Sequence, residues 1–553
     1  MNLGTHEVIN QSTPLVDVNL FDTDRALRDA LGFNLPTFDA KSLSALGAEA
    51  GSAETVMHAR LANVHTPELH THDRFGHRID QVEFHPSYHA LLGGALRHGL
   101  HGAPWSRGAG AHIERAAGFI LSTQAEPSVL CPASMSYAVT PALRANAPLY
   151  EAWRTRIAGT QYDARFVPMA QKTAVTLGMG MTEKQGGSDV RANTTRAEPD
   201  GHDAWGPRAR ITGHKWFFSA PMCDAFLVLA QAKGGLSCYF LPRWLPDGGA
   251  NVLRIQRLKD KLGNKANASS EVEFDRSAAW LVGEEGRGVP QILAMGAITR
   301  LDCALGTAGL MRQALVLALH HCAERRAFGK ALIEQPLMKN VLADLALESE
   351  AATALALRLA RAVDRSENSN DASGHEALLR RVLTPIAKFW ICKRGSLFAQ
   401  EAMECLGGNG YVEEHGEGAM ARVYREMPLN SIWEGAGNIM ALDLLRALRT
   451  GPVADALMSE LAPARGAHAG FDRLSESLPA RVDGTTDEMA ARRLSRDVAI
   501  VVQGALLKQH APAEVFDTFC ASRLGDQIGG GGAFGLLAAG APLDALIARG
   551  MPH

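Results

Sequence analysis

Glu434 is the residue whose type and surroundings best suit chemistry. It stands in SIWEGAGNIM, 431–440, just before Gly435-Ala436-Gly437, where a helix is expected to begin. A carboxylate at that point can serve as a general base, provided burial lifts its pKa toward the working range. Helix N–H groups would hold the carboxylate and pull the pKa down. Ile432 and Trp433 are placed to exclude water. The sequence leaves the direction of the shift open, and a plain helix N-cap is the alternative reading of Glu434.

Three other stretches carry unusual residue types. MGMTEKQGGSDV, 179–190, reads as a strand ending at Met181-Thr182 and a turn through Gly186-Gly187-Ser188. The glycines let backbone pass close to a bulky partner, and Thr182 and Ser188 supply hydroxyls. The alternative is an ordinary β-turn. In HKWFFSA, 214–220, Phe217 and Phe218 suit the face of an aromatic ring system and Ser219 its polar edge; an aromatic core strand reads the same way. ERRAFGK, 324–330, sits near a helix end. There Arg325 suits a phosphate and Phe328 a planar ring, against a solvated basic helix end. LGGNGY, 406–411, reads as a helix C-cap followed by a tight turn at Gly407 and Gly408.

The elements that must position these stretches follow from periodicity. Residues 1–178 read as mostly helical, with one helix starting at Pro86. Residues 179–285 hold short aromatic and β-branched runs punctuated by Gly, Pro, Asn and Asp, which is the pattern of a compact antiparallel β domain. Residues 286–450 return to long apolar stretches at helical spacing, suited to a bundle. Residues 451–553 read as further helices with Gly-rich breaks, including GGGG at 529–532, and SENSNDASG, 366–374, reads as a polar loop. The fold class is mainly α with a central β domain.

Together and in this order, the stretches resemble the acyl-CoA dehydrogenase family over residues 60–450. M-T-E-x-x-x-G-S-D is similar to its flavin-contacting strand, G-H-K-W-F-F-S to its second one and L-G-G-N-G-Y to its glycine turn. E-R-x-x-F-G-K resembles the arginine and phenylalanine that reach a flavin in the neighbouring subunit, and I-W-E-G the segment carrying the base. THDRFGHRIDQVEFHPSYH, 71–89, and SIWEGAGNIMALDLLRALR, 431–449, resemble the AidB-type branch, the DNA-alkylation-response flavoproteins, nearly full length. The resemblance implies an N-terminal helical domain, a β-barrel-like middle domain, a C-terminal four-helix bundle and an extra helical region.

It also implies FAD as cofactor, held by Met179, Met181, Thr182, Gly187, Ser188, Phe217, Phe218, Ser219, Arg325, Phe328, Gly407, Gly408, Ile432, Gly435, Gly437 and Asn438. Glu434 would remove the α-proton of an acyl-CoA thioester, its backbone N–H would polarise the carbonyl, and hydride would pass to flavin N5. The family's alternative base position is Thr299, before Arg300, which closes that route. The chain departs from the family at Ala436, Phe217, Arg425-Glu426-Met427 and Pro428. These changes put ordinary acyl-CoA substrates in question.

A homotetramer is implied, and double-stranded DNA as a partner, with Arg446, Arg449 and Arg523 as candidate DNA-binding residues. The alternative function is a flavin-containing DNA-binding protective protein with residual dehydrogenase activity. Composition does not announce a DNA module: residues 451–553 hold nine Lys+Arg against twelve Asp+Glu, and the whole chain has a net charge of -3. No run is expected to reach the ~18 apolar residues of a spanning helix. The eight cysteines form no C-x-x-C pair and read as reduced packing residues of a cytoplasmic protein. His85 and His89 are four apart, but no Cys or carboxylate completes a metal set, so none is expected.

Overall fold

The computed structural model describes residues 4–368, 374–413, 419–483, 487–524 and 533–552. The glycines at 529–532 and most of the polar loop 366–374 lie outside these residues. The chain forms two compact units: a sheet unit, Met57–Ala111 with Glu126–Asp302, and a helical unit, Met1–Val56 with His112–Ala125 and Cys303–His553.

Before the sheet come helices α1 (Arg25–Asn34), α2 (Ala40–Ala50) and α3 (Ala53–Val64), the hairpin β1 (Glu68–His72) and β2 (Arg78–Glu83), and helices α4 (Pro86–Arg97), α5 (Ala111–Ala125), α6 (Leu130–Leu143) and α7 (Ala147–Ile157). Helix α4 starts at Pro86 as expected, with the His85 ring accepting from the Ser87 N–H as N-cap. His89 instead meets the Tyr162 hydroxyl at 2.9 Å. The hairpin is a departure from the helical reading of this region. It is held by Asp80, which is buried although charged: Asp80 accepts from Arg78 and from the Ile255 N–H at 2.8 Å.

The sheet itself comprises β3 (Leu177–Gly180), β4 (Arg196–Asp203), β5 (Gly206–Ser219), β6 (Ala225–Ala232), β7 (Gly235–Pro242), β8 (Arg254–Leu258) and β9 (Ser269–Val282). Its order is β3-β6-β4-β5-β9-β7, and an added β6–β7 pairing closes the circuit into a barrel-like sheet. The pairing is not wholly antiparallel, because β3 runs parallel to β6. The apolar runs of β6 and β7 are buried on both faces, so they read as continuous rather than alternating hydrophobic segments.

The helical unit is built on α8 (Gly288–Glu324, entering the unit at Cys303), α9 (Pro336–Asn368) and α10 (His375–Cys405). Between α8 and α9 lies a two-residue hairpin, β10 (Arg326–Ala327) with β11 (Lys330–Ala331). There follow α11 (Gly408–Tyr411), α12 (Ala419–Ile432), α13 (Gly437–Leu448), α14 (Gly451–Leu461), α15 (Ala469–Asp483), α16 (Ala491–His510), α17 (Ala513–Arg523) and α18 (Leu543–Gly550). Helix α8 corrects the membrane expectation in one respect. An 18-residue window reaches a mean hydropathy of 1.2, enough in length and composition to span a bilayer, but 89% of it is buried inside the protein. It is a core helix.

The C-terminal helices are fastened to α9 by buried ion pairs. Arg358 on α9 bonds Glu376 at 2.9 Å and takes both oxygens of Glu460, on α14, at 2.6 and 3.0 Å. Arg523, on α17, bonds Asp344 and Glu348, and Arg549, on α18, bonds Glu350 and Asp29. This corrects the expectation that Arg523 binds DNA. Its guanidinium is neutralised by two buried carboxylates, so it has no charge left to offer a phosphate.

Removing one partner of such a network leaves the others charged and dry. Arg358→Met is expected to cost roughly 3–5 kcal/mol in denaturant unfolding. Adding Glu460→Gln should recover part of that loss; equal stability of Arg358→Met and wild type would overturn this account.

Candidate active site

In the sheet unit, the 179–190 stretch begins inside the core. Met179 is buried on β3, and a methyl group at Gly180 would lie 2.7 Å from the Phe218 ring, so glycine alone fits there. The chain leaves the strand at half-buried Met181 and Thr182, whose carbonyl accepts from the Trp216 N–H at 2.9 Å. It then folds back on itself. A methyl group at Gly187 would sit 2.6 Å from the Thr182 hydroxyl. The result is a small cradle with the Thr182 hydroxyl on one side and the exposed Gly187-Ser188 backbone on the other.

Glu183 anchors this cradle. Its carboxylate has no exposure to solvent and meets the Lys215 ammonium, equally buried, at 2.8 Å. It also accepts from the Thr194 and Thr195 N–H groups at 2.7 and 3.1 Å. Lys215 donates further to the Leu229 carbonyl at 2.8 Å. Burial opposes ionisation of Glu183, but the ammonium and the Thr194 N–H outweigh it and hold the carboxyl well below its usual range.

Two residues beyond Lys215, Phe217 is 52% exposed, whereas Phe218 is fully buried, its ring 4.3 Å from that of Phe226. This corrects the expectation for Phe218: its faces are used in the sheet core, and only Phe217 presents a ring outward. The register slips by one residue between Lys215 and Phe218, which turns both Phe217 and Trp216 away from the core. Ser219 shares its hydroxyl with Ser269 at 3.2 Å.

In the helical unit, the arginine and glycine stretches meet a common strap, residues 10–13. The Asn10 carbonyl accepts from Arg325, and the Asn10 side chain brackets the Arg326 backbone at 2.8 and 2.9 Å. Gln11 accepts from Asn409, beside Gly407 and Gly408, at 3.3 Å. Gly407 follows the end of α10 with φ +59 and ψ -143, a backbone region open essentially to glycine alone and not the left-handed helical cap expected. Phe328 and Gly329 form the hairpin tip with φ +52 and +81, a turn that matches strand twist but strains a phenylalanine. Phe328 is 98% exposed.

Glu434 occupies a third place in this unit. Helix α12 ends at Ile432, and Glu434 and Gly435 follow with φ +60 and +98. The N-cap of α13 is Ala436, so Glu434 is not a helix cap, and the alternative reading falls. Ile432 is 62% exposed, and half-buried Trp433 donates its ring N–H to Asn430 at 3.0 Å. Gly437 and Asn438 open α13, and the Asn438 side-chain oxygen accepts from Arg492 at 2.7 Å. The Gly435 carbonyl accepts from Lys388 at 2.6 Å. Thr299 points its hydroxyl back to the Gly296 carbonyl at 3.1 Å, in its own helix.

Sequence reasoning missed Glu183, Lys215, Asn10 and Lys388. The last had a signal: one lysine inside the apolar run PIAKFWIC, 385–392.

Residues 10–164 match the adaptive response protein AidB N-terminal domain, 178–277 the acyl-CoA dehydrogenase middle domain and 286–449 its C-terminal domain. The chain is 46% identical, over 94% of both chains, to AidB of Escherichia coli (strain K12), whose name assigns it to the acyl-CoA dehydrogenases. It belongs to the acyl-CoA dehydrogenase family, in the AidB branch. The structure is similar to Caenorhabditis elegans ACDH-11 in complex with C11-CoA, with TM-score 0.82, 26% identity and 94% of each chain covered. The fold is shared with an acyl-CoA dehydrogenase of Bacillus anthracis complexed with FAD, with TM-score 0.64 and 16% identity, covering 92% and 86% of the two chains.

Acyl-CoA dehydrogenases are FAD-dependent oxidoreductases, and the residues here fit that cofactor. The Thr182 hydroxyl, the open Gly187-Ser188 backbone and the outward Phe217 ring form a donor set and an apolar surface for a flat polar-edged ring.

The Glu183 carboxyl lies below its ordinary value of 4.5, so the stability it contributes is present above pH 4.5 and fades as pH falls below it. Flavin release, read by fluorescence, is expected to begin in wild type through that acid window. Glu183→Ala leaves Lys215 charged and unpaired and should lose roughly 3–5 kcal/mol and shed flavin at neutral pH. Wild-type melting and flavin content in that variant would refute the anchoring role.

Proposed function

We propose that this protein dehydrogenates an acyl-CoA thioester between its α and β carbons, with Glu434 as the base. The observation that carries the reading is the conformation of Glu434, a non-glycine residue held at φ +60 between two helices. Strained backbone of that kind gathers where a side chain must be aimed. Glu434 would accept the α-proton, and its own backbone N–H would polarise the thioester carbonyl. Bound FAD supplies the hydride acceptor for the β-hydrogen. Phe217 would cover part of the ring, and Thr182 and Ser188 would meet its polar edge. The exposed, strained Phe328 supports a homotetramer in which this hairpin reaches a neighbouring subunit's cofactor. The eight buried free thiols support a reducing compartment, the cytoplasm.

The test is flavin bleaching by a series of acyl-CoAs under anaerobic conditions. Wild type should bleach; Glu434→Gln should keep its flavin and slow roughly 10²–10⁴-fold. No bleaching by any chain length removes the substrate class, and equal rates in the two proteins remove Glu434 as the base.

A second reading, double-stranded DNA binding in an alkylation response with only residual dehydrogenase activity, draws on the arginines. Arg446 and Arg449 are exposed at the end of α13, and Arg493 and Arg496 are exposed on α16, which packs against α13. Arg446→Glu with Arg449→Glu should weaken duplex binding at all sequences and lower the salt slope by about 1 for each phosphate no longer neutralised. An unchanged slope would exclude these residues from the interface.

A further inference from the structure

We infer that Lys388 and Arg492 are positioning residues for Glu434, gripping its turn from two different helices. The inference rests on the reading of Glu434 as base.

Lys388 is 1% exposed, in the middle of α10. Lysine is almost never fully buried without a partner, because its ammonium gives up hydration. Its bond is to the carbonyl of Gly435, the residue after Glu434, at 2.6 Å. A charged donor makes roughly twice as strong a hydrogen bond as a neutral one. That bond fixes the peptide joining Gly435 to Ala436. With φ +60 and +98 at Glu434 and Gly435, any rotation of this peptide would re-aim the glutamate side chain.

The start of α13 has no side-chain cap of its own. Arg492, on α16, supplies a bond instead, to the Asn438 side-chain oxygen at 2.7 Å. Its guanidinium lies 5.4 Å from the centre of the Phe389 ring, next to Lys388 in the chain. A methyl group at Gly437 would be 3.5 Å from both Arg492 and Phe389 and 2.8 Å from the Lys393 chain, so the turn sits in a corner formed by α10 and α16. Farther along α13, Asp443 takes Arg381 of α10 at 2.8 Å, which fixes that part of the helix. Helix α16 lies beyond residue 449, where the match to the family's C-terminal domain stops. The additional C-terminal region therefore contributes a residue to the turn that carries the base.

The test uses FAD-loaded Lys388→Met, Lys388→Arg, Arg492→Ala and Arg492→Lys proteins beside Glu434→Gln. Readouts are the bleaching rate at saturating acyl-CoA, KM, flavin content and amide deuterium exchange of residues 432–440 without substrate. A misplacement on the order of 1 Å costs about 10²-fold in rate. Lys388→Met should therefore lose roughly 10- to 100-fold at saturation, with KM and flavin content near wild type, and its 432–440 amides should exchange faster. Lys388→Arg should restore most of the rate. Arg492→Ala should show a smaller loss of the same kind, restored by Arg492→Lys. A flavin-loaded Lys388→Met protein with wild-type rate and exchange overturns the inference. Where Lys388→Met fails to fold, Arg492→Ala decides: wild-type rate and exchange there overturn it equally. Normal turnover in Glu434→Gln defeats the base reading, whereas the deuterium-exchange arm reports on the turn regardless.

Discussion

Glu183 and Lys215 are shut away from solvent, and neither could stay charged there alone. A buried pair of this kind adds little net stability, because desolvation consumes most of its attraction. What it supplies is a single arrangement. Every strong site on the Glu183 carboxylate is used, by Lys215, Thr194, Thr195 and Gln185, so the 182–188 loop has one position in which all are satisfied. The Thr182 hydroxyl and Gly187 backbone face each other only in that position. The edge of the sheet unit proposed to meet the flavin thus depends on an ion pair buried behind it.

The helical unit uses the same physics to another end. Arg358, Arg523 and Arg549 each take at least two carboxylates, all buried or nearly so except the exposed Asp29, and each arginine and its partners lie on different helices. Guanidinium suits this role because its fixed fork meets carboxylates in two bonds at once. The consequence is that the described helices beyond residue 450 pack into the helical unit rather than forming an appended module. Arginines read from sequence as a nucleic-acid patch are divided by this packing: Arg523 faces inward and Arg446 and Arg449 face outward.

How far the residues could be read in advance follows from the same division between local and distant causes. The β strands, the start of α4 at Pro86 and the stop before Gly407 were legible, since aromatic content, a proline at the first helical position and a glycine pair after an apolar helix are local signals. The hairpin of β1 and β2 was not, because its inward position is filled by Asp80, whose partner is the Ile255 N–H of a distant strand. Phe217 and Phe218 could not be told apart, because the one-residue slip in β5 breaks the alternation on which any such reading rests. Lys388 was visible as a lone charge in an apolar run, but its acceptor, a backbone carbonyl 47 residues later, carries no mark in the sequence.

Backbone strain falls at positions that the sequence motifs also single out. Among the described residues, eight non-glycine positions have positive φ, and four are Asn or Asp, which tolerate it. Of the other four, Ala220, Phe328 and Glu434 lie in the motif stretches, and Arg276 does not. Each costs of order 1–3 kcal/mol that glycine would not. Asn10 belongs with them, since it adopts φ +59 while bracketing the Arg325-Arg326 backbone next to the Phe328 hairpin. At Phe328 the strain projects a ring into solvent. At Glu434 it is opposed by the Lys388 bond and by the bonds Trp433 makes to Leu429 and Asn430. A glycine at either place would relax the backbone but remove the side chain to which the proposed chemistry assigns a role, so the strain accompanies keeping that side chain.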